Sequence, residues 1–98
     1  MSTNRDGAVI NFKLYVAGQS PHSLRALSNL RAFCAAHLPD RHRLEVVDVL
    51  VAPERALAER IFLTPQIVIV DPPPMRTVVG DLTDPGPLRD ALGLSAPV

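Results

Sequence analysis

Ser20-Pro21-His22-Ser23 decides how this chain is read. The segment follows a strand-like run, Val9 to Val16, and opens a helix-like run, Leu24 to Leu38. A Cys-x-x-Cys at such a strand-to-helix junction reads as a dithiol redox centre. Here serine occupies both sulfur positions. Serine has no accessible thiolate and forms no mixed disulfide, so dithiol exchange at this point is excluded. A scaffold of this kind without its sulfur pair points to binding rather than chemistry.

The elements on either side follow from periodicity. Ile10, Phe12, Leu14 and Val16 alternate with Asn11 and Lys13, the pattern of a strand with one buried face. Gly18 breaks that run. Ser20 is a suitable N-cap, and Pro21 suits the first helical position, where no amide donor is needed. Leu24, Leu27, Leu30, Cys34 and Leu38 then recur every three to four residues and predict the apolar face of a helix that Pro39 and Asp40 end. Leu44 to Leu50 predicts a second strand, and a strand, a helical crossover and a strand make a parallel βαβ unit with a right-handed crossover. A helix over Pro53 to Phe62 follows, with Leu57 and Ile61 on one face and Arg55 and Glu59 spaced to pair at i,i+4. Ala52 offers it no cap. Gln66 to Val70 is β-branched and predicts a strand. Pro72-Pro73-Pro74 is a stiff connection to a short strand over Arg76 to Gly80, paired as a hairpin. Thr83 or Asp84 is expected to cap a last helix, with Pro85 and Pro87 in its first turn and Gly93 at its end. The order β-α-β-α-β-β-α is that of a thioredoxin-like α/β fold.

Composition bounds the rest. Ninety-eight residues make a single domain over positions 1–98, and the polar stretch 1–7 reads as a tail and not as a signal peptide. Ten basic and ten acidic residues cancel, which gives no general attraction to nucleic acid or to a membrane surface. No apolar run has the length of a membrane span. A single cysteine forbids an internal disulfide, and a reducing, cytoplasmic setting is expected. No cofactor motif is present, because the five glycines are scattered.

Individual residues carry two readings each. Thr64-Pro65 sits where thioredoxin-like folds keep a cis proline, so Pro65 is expected to be cis, against a trans bond at a strand entrance. Cys34 is expected to be a packed core thiol, with a monothiol redox role as the alternative. His22 reads as an exposed residue at the helix start. His37 and His42 lack partners at metal-ligand spacing, so no metal site is expected. Asp48 is either a buried, hydrogen-bonded acid or the exposed end of its strand. Arg41, Arg43, Arg55, Arg60 and Arg76 read either as a basic patch or as an ordinary solvated surface.

Two passages together resemble the opening and middle of the KaiB family of circadian clock proteins. The first is Leu14-Tyr15-Val16-Ala17-Gly18 with Ser20-Pro21 and Ser23-Leu24-Arg25-Ala26-Leu27. The second is Val47-Asp48-Val49-Leu50, Pro53, Thr64-Pro65, Pro72-Pro73-Pro74 and Gly80-Asp81-Leu82. The resemblance spans about residues 9 to 82. It implies a protein that is not an enzyme, that binds the N-terminal ATPase ring of KaiC and that then captures KaiA. A SasA-like histidine kinase is a further partner of that system. The resemblance also implies fold switching, between a tetrameric β-α-β-β-α-α-β ground state and a thioredoxin-like state that alone binds KaiC.

Departures from the family fall in the second half. The ground state needs helix across Gln66 to Val79, where β-branching opposes it. It also needs a strand near the C-terminus, where Pro85-Gly86-Pro87 removes ladder donors and suits a helix start. Ala91, where the family often has glycine, favours helix. The expectation is a resting thioredoxin-like state, as a monomer or weak dimer, with the homotetramer as alternative. The implied partner-binding residues are Arg43, Glu45, Pro53 and Arg60. Glu45 reverses the family's usual lysine, which weakens the expectation of KaiA capture. A thioredoxin-like stress-signalling module unrelated to a clock is the remaining alternative.

Overall fold

The computed structural model describes residues 9–94, so the 1–7 tail lies outside the described residues. Seven elements run in the order β1 (Ile10–Val16), α1 (Pro21–His37), β2 (His42–Asp48), α2 (Pro53–Ala58), β3 (Gln66–Asp71), β4 (Arg76–Val79) and α3 (Gly86–Ala91). The four strands form one sheet in the order β2-β1-β3-β4. β2 pairs parallel to β1, with Ile10 beside His42 and Val16 beside Asp48. β3 pairs antiparallel to β1, and β4 antiparallel to β3. Residues 66–71 and 76–79 are therefore strands and the last element is helix, opposite to the ground-state order in both places.

Alternation on β1 distributes its side chains to two cores. Phe12, Leu14 and Val16 join Ile67, Ile69 and Val78 on one face of the sheet, under Ala26, Leu30, Phe33, Cys34 and Leu88 from α1 and α3. On the other face Tyr15, Val47 and Val68 are covered by Ala56 and Ile61 around α2. Full burial of a side chain such as Leu30 or Leu88 stabilises by about 1.5–3 kcal/mol.

The face of α1 keeps Leu30, Cys34 and Leu38 of the predicted one, with Leu27 packed at its edge, but is turned away from Leu24. Leu24 is exposed, and Ser23, Ala26 and Phe33 are buried beside Leu30 and Cys34. Serine and alanine stand where the helix meets the sheet, so leucine spacing alone mislocates the seam. Ser20 does cap α1, its Oγ accepting from the Ser23 amide at 3.3 Å, and Pro21 follows at the first helical position.

β2 lies two residues earlier than predicted because Asp48 starts a turn: its carbonyl accepts from Val51 and Ala52, and its Oδ1 accepts from Leu50. α2 stops at Ala58 rather than reaching Phe62. Its end is a Schellman turn, with the Ile61 amide on the Ala56 carbonyl, the Arg60 amide on the Leu57 carbonyl and Arg60 at φ 59°. The turn leaves Ile61 buried and Leu57 exposed, so these two do not share a buried face. α3 ends in the same motif with Gly93 at φ 71°. Its start also differs from prediction: Pro85 occupies the cap position without a side-chain cap. Asp84 Oδ1 instead accepts from the Gly86 amide, and Thr83 is held by Asp81.

Candidate interaction surface

The junction after β1 holds its serines in structural bonds. Ser23 is buried, and its Oγ accepts from the Ala17 amide at 3.1 Å and from Ser20 Oγ at 2.9 Å. Gly18, at φ 60°, donates its amide to Asp48 Oδ1 at 3.0 Å. Asp48 thus ends β2 and is hydrogen-bonded at once, so its two readings merge. The Thr64–Pro65 bond is cis, as are Asp71–Pro72 and Pro73–Pro74. The Cys34 thiol is fully buried, and burial pushes it up to about 11. A monothiol mechanism needs the opposite, an exposed thiolate.

His22 is exposed and sits beside a cluster centred on Asp81. The Asp81 carboxylate accepts from the Thr83 hydroxyl and amide at 2.7 and 3.0 Å and from Arg25 Nε at 3.0 Å. The Asp81 carbonyl accepts from Asn29 Nδ2 at 2.8 Å. The Thr83 bonds first, and Arg25 after them, hold the Asp81 carboxyl far below the usual carboxylate range. This cluster docks the segment after β4 onto α1.

The five arginines do not make one patch. Arg76 is on β4 and Arg43 on β2, at opposite edges of the sheet. Arg76 spends its guanidinium on the carbonyls of Pro74, Pro72 and Ala91, tying β4 and the proline loop to the end of α3. Arg55 does not pair with Glu59. Its two terminal nitrogens reach the two oxygens of Glu45 at 2.6 and 3.1 Å, while Glu59 takes Lys13 at 3.4 Å. The short α2 is therefore clamped to β2 and β1 by two ion pairs. The Arg55 bonds lower the Glu45 pKa. Between the clamps lies Tyr15, wholly buried, whose hydroxyl has no hydrogen-bond partner among the described residues. Burial, and secondarily the Glu59 carboxylate, push its phenol up to about 12.

The segment between β2 and β3 exposes several large apolar side chains, among charged ones. Leu50, Val51, Leu57, Phe62 and Leu63 are exposed, Phe62 at 77% and Leu57 at 69%. Half of the exposed large apolar residues of the described chain thus fall between positions 50 and 63. Pro53 and Arg60, both exposed, lie within that segment. Arg43 and Glu45 lie on β2, and the Glu45–Arg55 bond joins that strand to α2. The four residues assigned by resemblance therefore border one side of the molecule. Sequence reading missed the apolar part of that side because it set Leu57 on one helical face with Ile61, which is buried. The signal was present in Ile61-Phe62-Leu63, a run that a single short helix end cannot bury entirely. Among the described residues no cluster of metal-ligating side chains occurs, and no helix is long and apolar enough to cross a membrane.

Comparison with known proteins agrees with this geometry. Among solved structures, the N-terminal domain of Synechococcus elongatus SasA superposes with a TM-score of 0.72 at 23% identity, over 93% of this chain and 90% of that one. Mitochondrial thioredoxin 3 of Saccharomyces cerevisiae gives 0.70 at 15% identity, over 88% of this chain and 78% of that one. These likenesses show the thioredoxin-like fold. The circadian clock oscillator protein KaiB of Prochlorococcus marinus is 43% identical over 72 residues, 74% of this chain and 67% of the relative. That of Gloeothece citriformis is 42% identical over 84 residues, 86% of this chain and 77% of the relative. The KaiB domain model matches residues 13–93. The chain therefore belongs to the KaiB family.

Proposed function

We propose that this protein is a non-catalytic regulator in a circadian-type clock, binding the N-terminal ATPase ring of a KaiC-type protein from the side bordered by Arg43, Glu45, Pro53 and Arg60. The observation that carries the proposal is the thioredoxin-like order of residues 66–91, the state that family resemblance links to ring binding. The exposed Leu57 and Phe62 supply the apolar centre that a protein interface needs, and Arg43 and Arg60 supply a charged rim. Cys34, buried and reluctant to ionise, disfavours a thiol-based role. The setting is the cytoplasm. KaiA and a SasA-like kinase are secondary partners, and Glu45, engaged with Arg55, opposes the capture of a partner that expects a lysine there.

Co-elution with a KaiC-type ATPase under ATP-hydrolysing conditions tests the proposal. Complex formation is expected, and Leu57→Ser or Phe62→Ser should weaken it by about tenfold or more while far-UV circular dichroism stays unchanged. Absence of any complex with the ring would end this reading.

A further inference from the structure

β2 is an edge strand, and its free edge is patterned. In the parallel ladder the Ile10 amide bonds to the Arg41 carbonyl, and the Val49 amide bonds to the Val16 carbonyl. Odd-numbered residues of β2 therefore turn their backbone groups toward β1. Those of His42, Leu44 and Val46 point away from the sheet. An exposed row of this kind is a template for another strand. Arg43 and Glu45 project on the α2 side of the sheet, beside Asn11 and Lys13, and with Val70 they line a shallow depression there. Arg43 has no ion-pair partner among the described residues, and Val46 is exposed on the opposite face.

We infer that this edge pairs with the same edge of a second copy, antiparallel, about a two-fold axis at Leu44. Symmetric antiparallel registers centred on a residue of β2 match outward-facing backbone groups to each other, and the three centred on positions 43, 44 and 45 differ in the charges they oppose. One centred on position 43 sets arginine against arginine, and one centred on position 45 sets glutamate against glutamate. The register centred on Leu44 sets Arg43 against Glu45 of the second copy, twice, in the closely spaced non-hydrogen-bonded positions. It also sets Leu44 against itself and Val46 against His42. Opposite charges directly across an antiparallel pair stabilise and like charges destabilise, so the sequence selects this register over its two neighbours. Glu45 keeps oxygen lone pairs for both Arg55 and the incoming Arg43. The result is a continuous eight-stranded sheet with α2 of each copy on the same side. This contact between copies does not depend on any clock partner.

Sedimentation equilibrium from micromolar to millimolar protein is the test. The wild type should show a monomer–dimer equilibrium. Arg43→Glu and Glu45→Arg should each weaken it by about tenfold. An equimolar mixture of the two variants should recover association, because position 43 of each then faces an opposite charge at position 45 of the other. Amide hydrogen exchange should slow at His42, Leu44 and Val46 as concentration rises. Arg43→Glu breaks no intramolecular ion pair, so it reads the interface even if Glu45→Arg fails to fold. A protein that stays monomeric throughout would overturn the inference and leave the edge to an unlike strand. So would a dimer insensitive to Arg43→Glu, or one whose three edge amides exchange as fast as at low concentration.

Discussion

The two halves of this molecule are held by different means. Residues 9–48 carry two seven-residue strands and a 17-residue helix, capped by Ser20 and packed through Ala26, Leu30, Phe33 and Cys34. Beyond Asp48 both helices have six residues and neither has a side-chain cap. Helices that short are not stable alone. They are fixed by reach-across contacts: Arg55 to Glu45, Glu59 to Lys13, and Arg76 to Ala91. Only Ala56 and Leu88 are buried from within α2 and α3. The first half is built on one long capped helix, whereas the second adds an inner strand, β3, with Ile67, Val68 and Ile69 buried, and two short helices pinned by reach-across contacts.

The contrast is broken or sharpened by four substitutions. Leu88→Ala should cost about 2–5 kcal/mol, because Leu88 is the one buried anchor of α3. Urea unfolding measures the loss, and hydrogen exchange should show α3 opening before α1. An equal loss of protection in both helices would show that the halves are one cooperative unit. Ser20→Ala should cost about 1 kcal/mol, by removing the cap of the self-sufficient helix.

Arg60→Gly should act in the opposite direction and stabilise by up to about 1 kcal/mol. Arg60 holds the left-handed position of a turn that glycine fills at the end of α3. The same change should weaken the proposed ring contact, so thermal unfolding and binding measured together separate strain from recognition. Asp81→Asn should be the mildest, and its effect shows against pH. The Asp81 carboxyl is held below its ordinary value when folded. Its contribution is therefore present above about pH 4 and is lost as pH falls through the folded-state value. The variant should show a flatter acid limb in thermal unfolding than the wild type.

The first half was legible in the sequence because its signals are local. β1 alternates, Ser20-Pro21 announces α1, and the parallel βαβ pairing follows from connection length. The strands after Leu63 were legible for the same reason, through β-branching at Gln66 to Val70. What escaped were the features set by tertiary reach. Glu59 was expected to take Arg55 at i,i+4, yet each turns to a strand residue lying under α2, because the helix is too short for its own pair to matter. The rotated face of α1 depends on how closely Ser23 lets the helix approach Ala17. The implied partner residues Arg43, Glu45, Pro53 and Arg60 came from resemblance, and geometry adds the apolar ground between them.

The Asp48 carboxylate oxygen that receives both Gly18 and Leu50 has a mechanical consequence. It is a common anchor for the loop that launches the longest helix and the loop that launches α2. Moving the segment after β2 pulls on the serine junction at the same time. The serine junction and the approach to α2 thereby share one carboxylate oxygen, so a displacement of either is felt by the other.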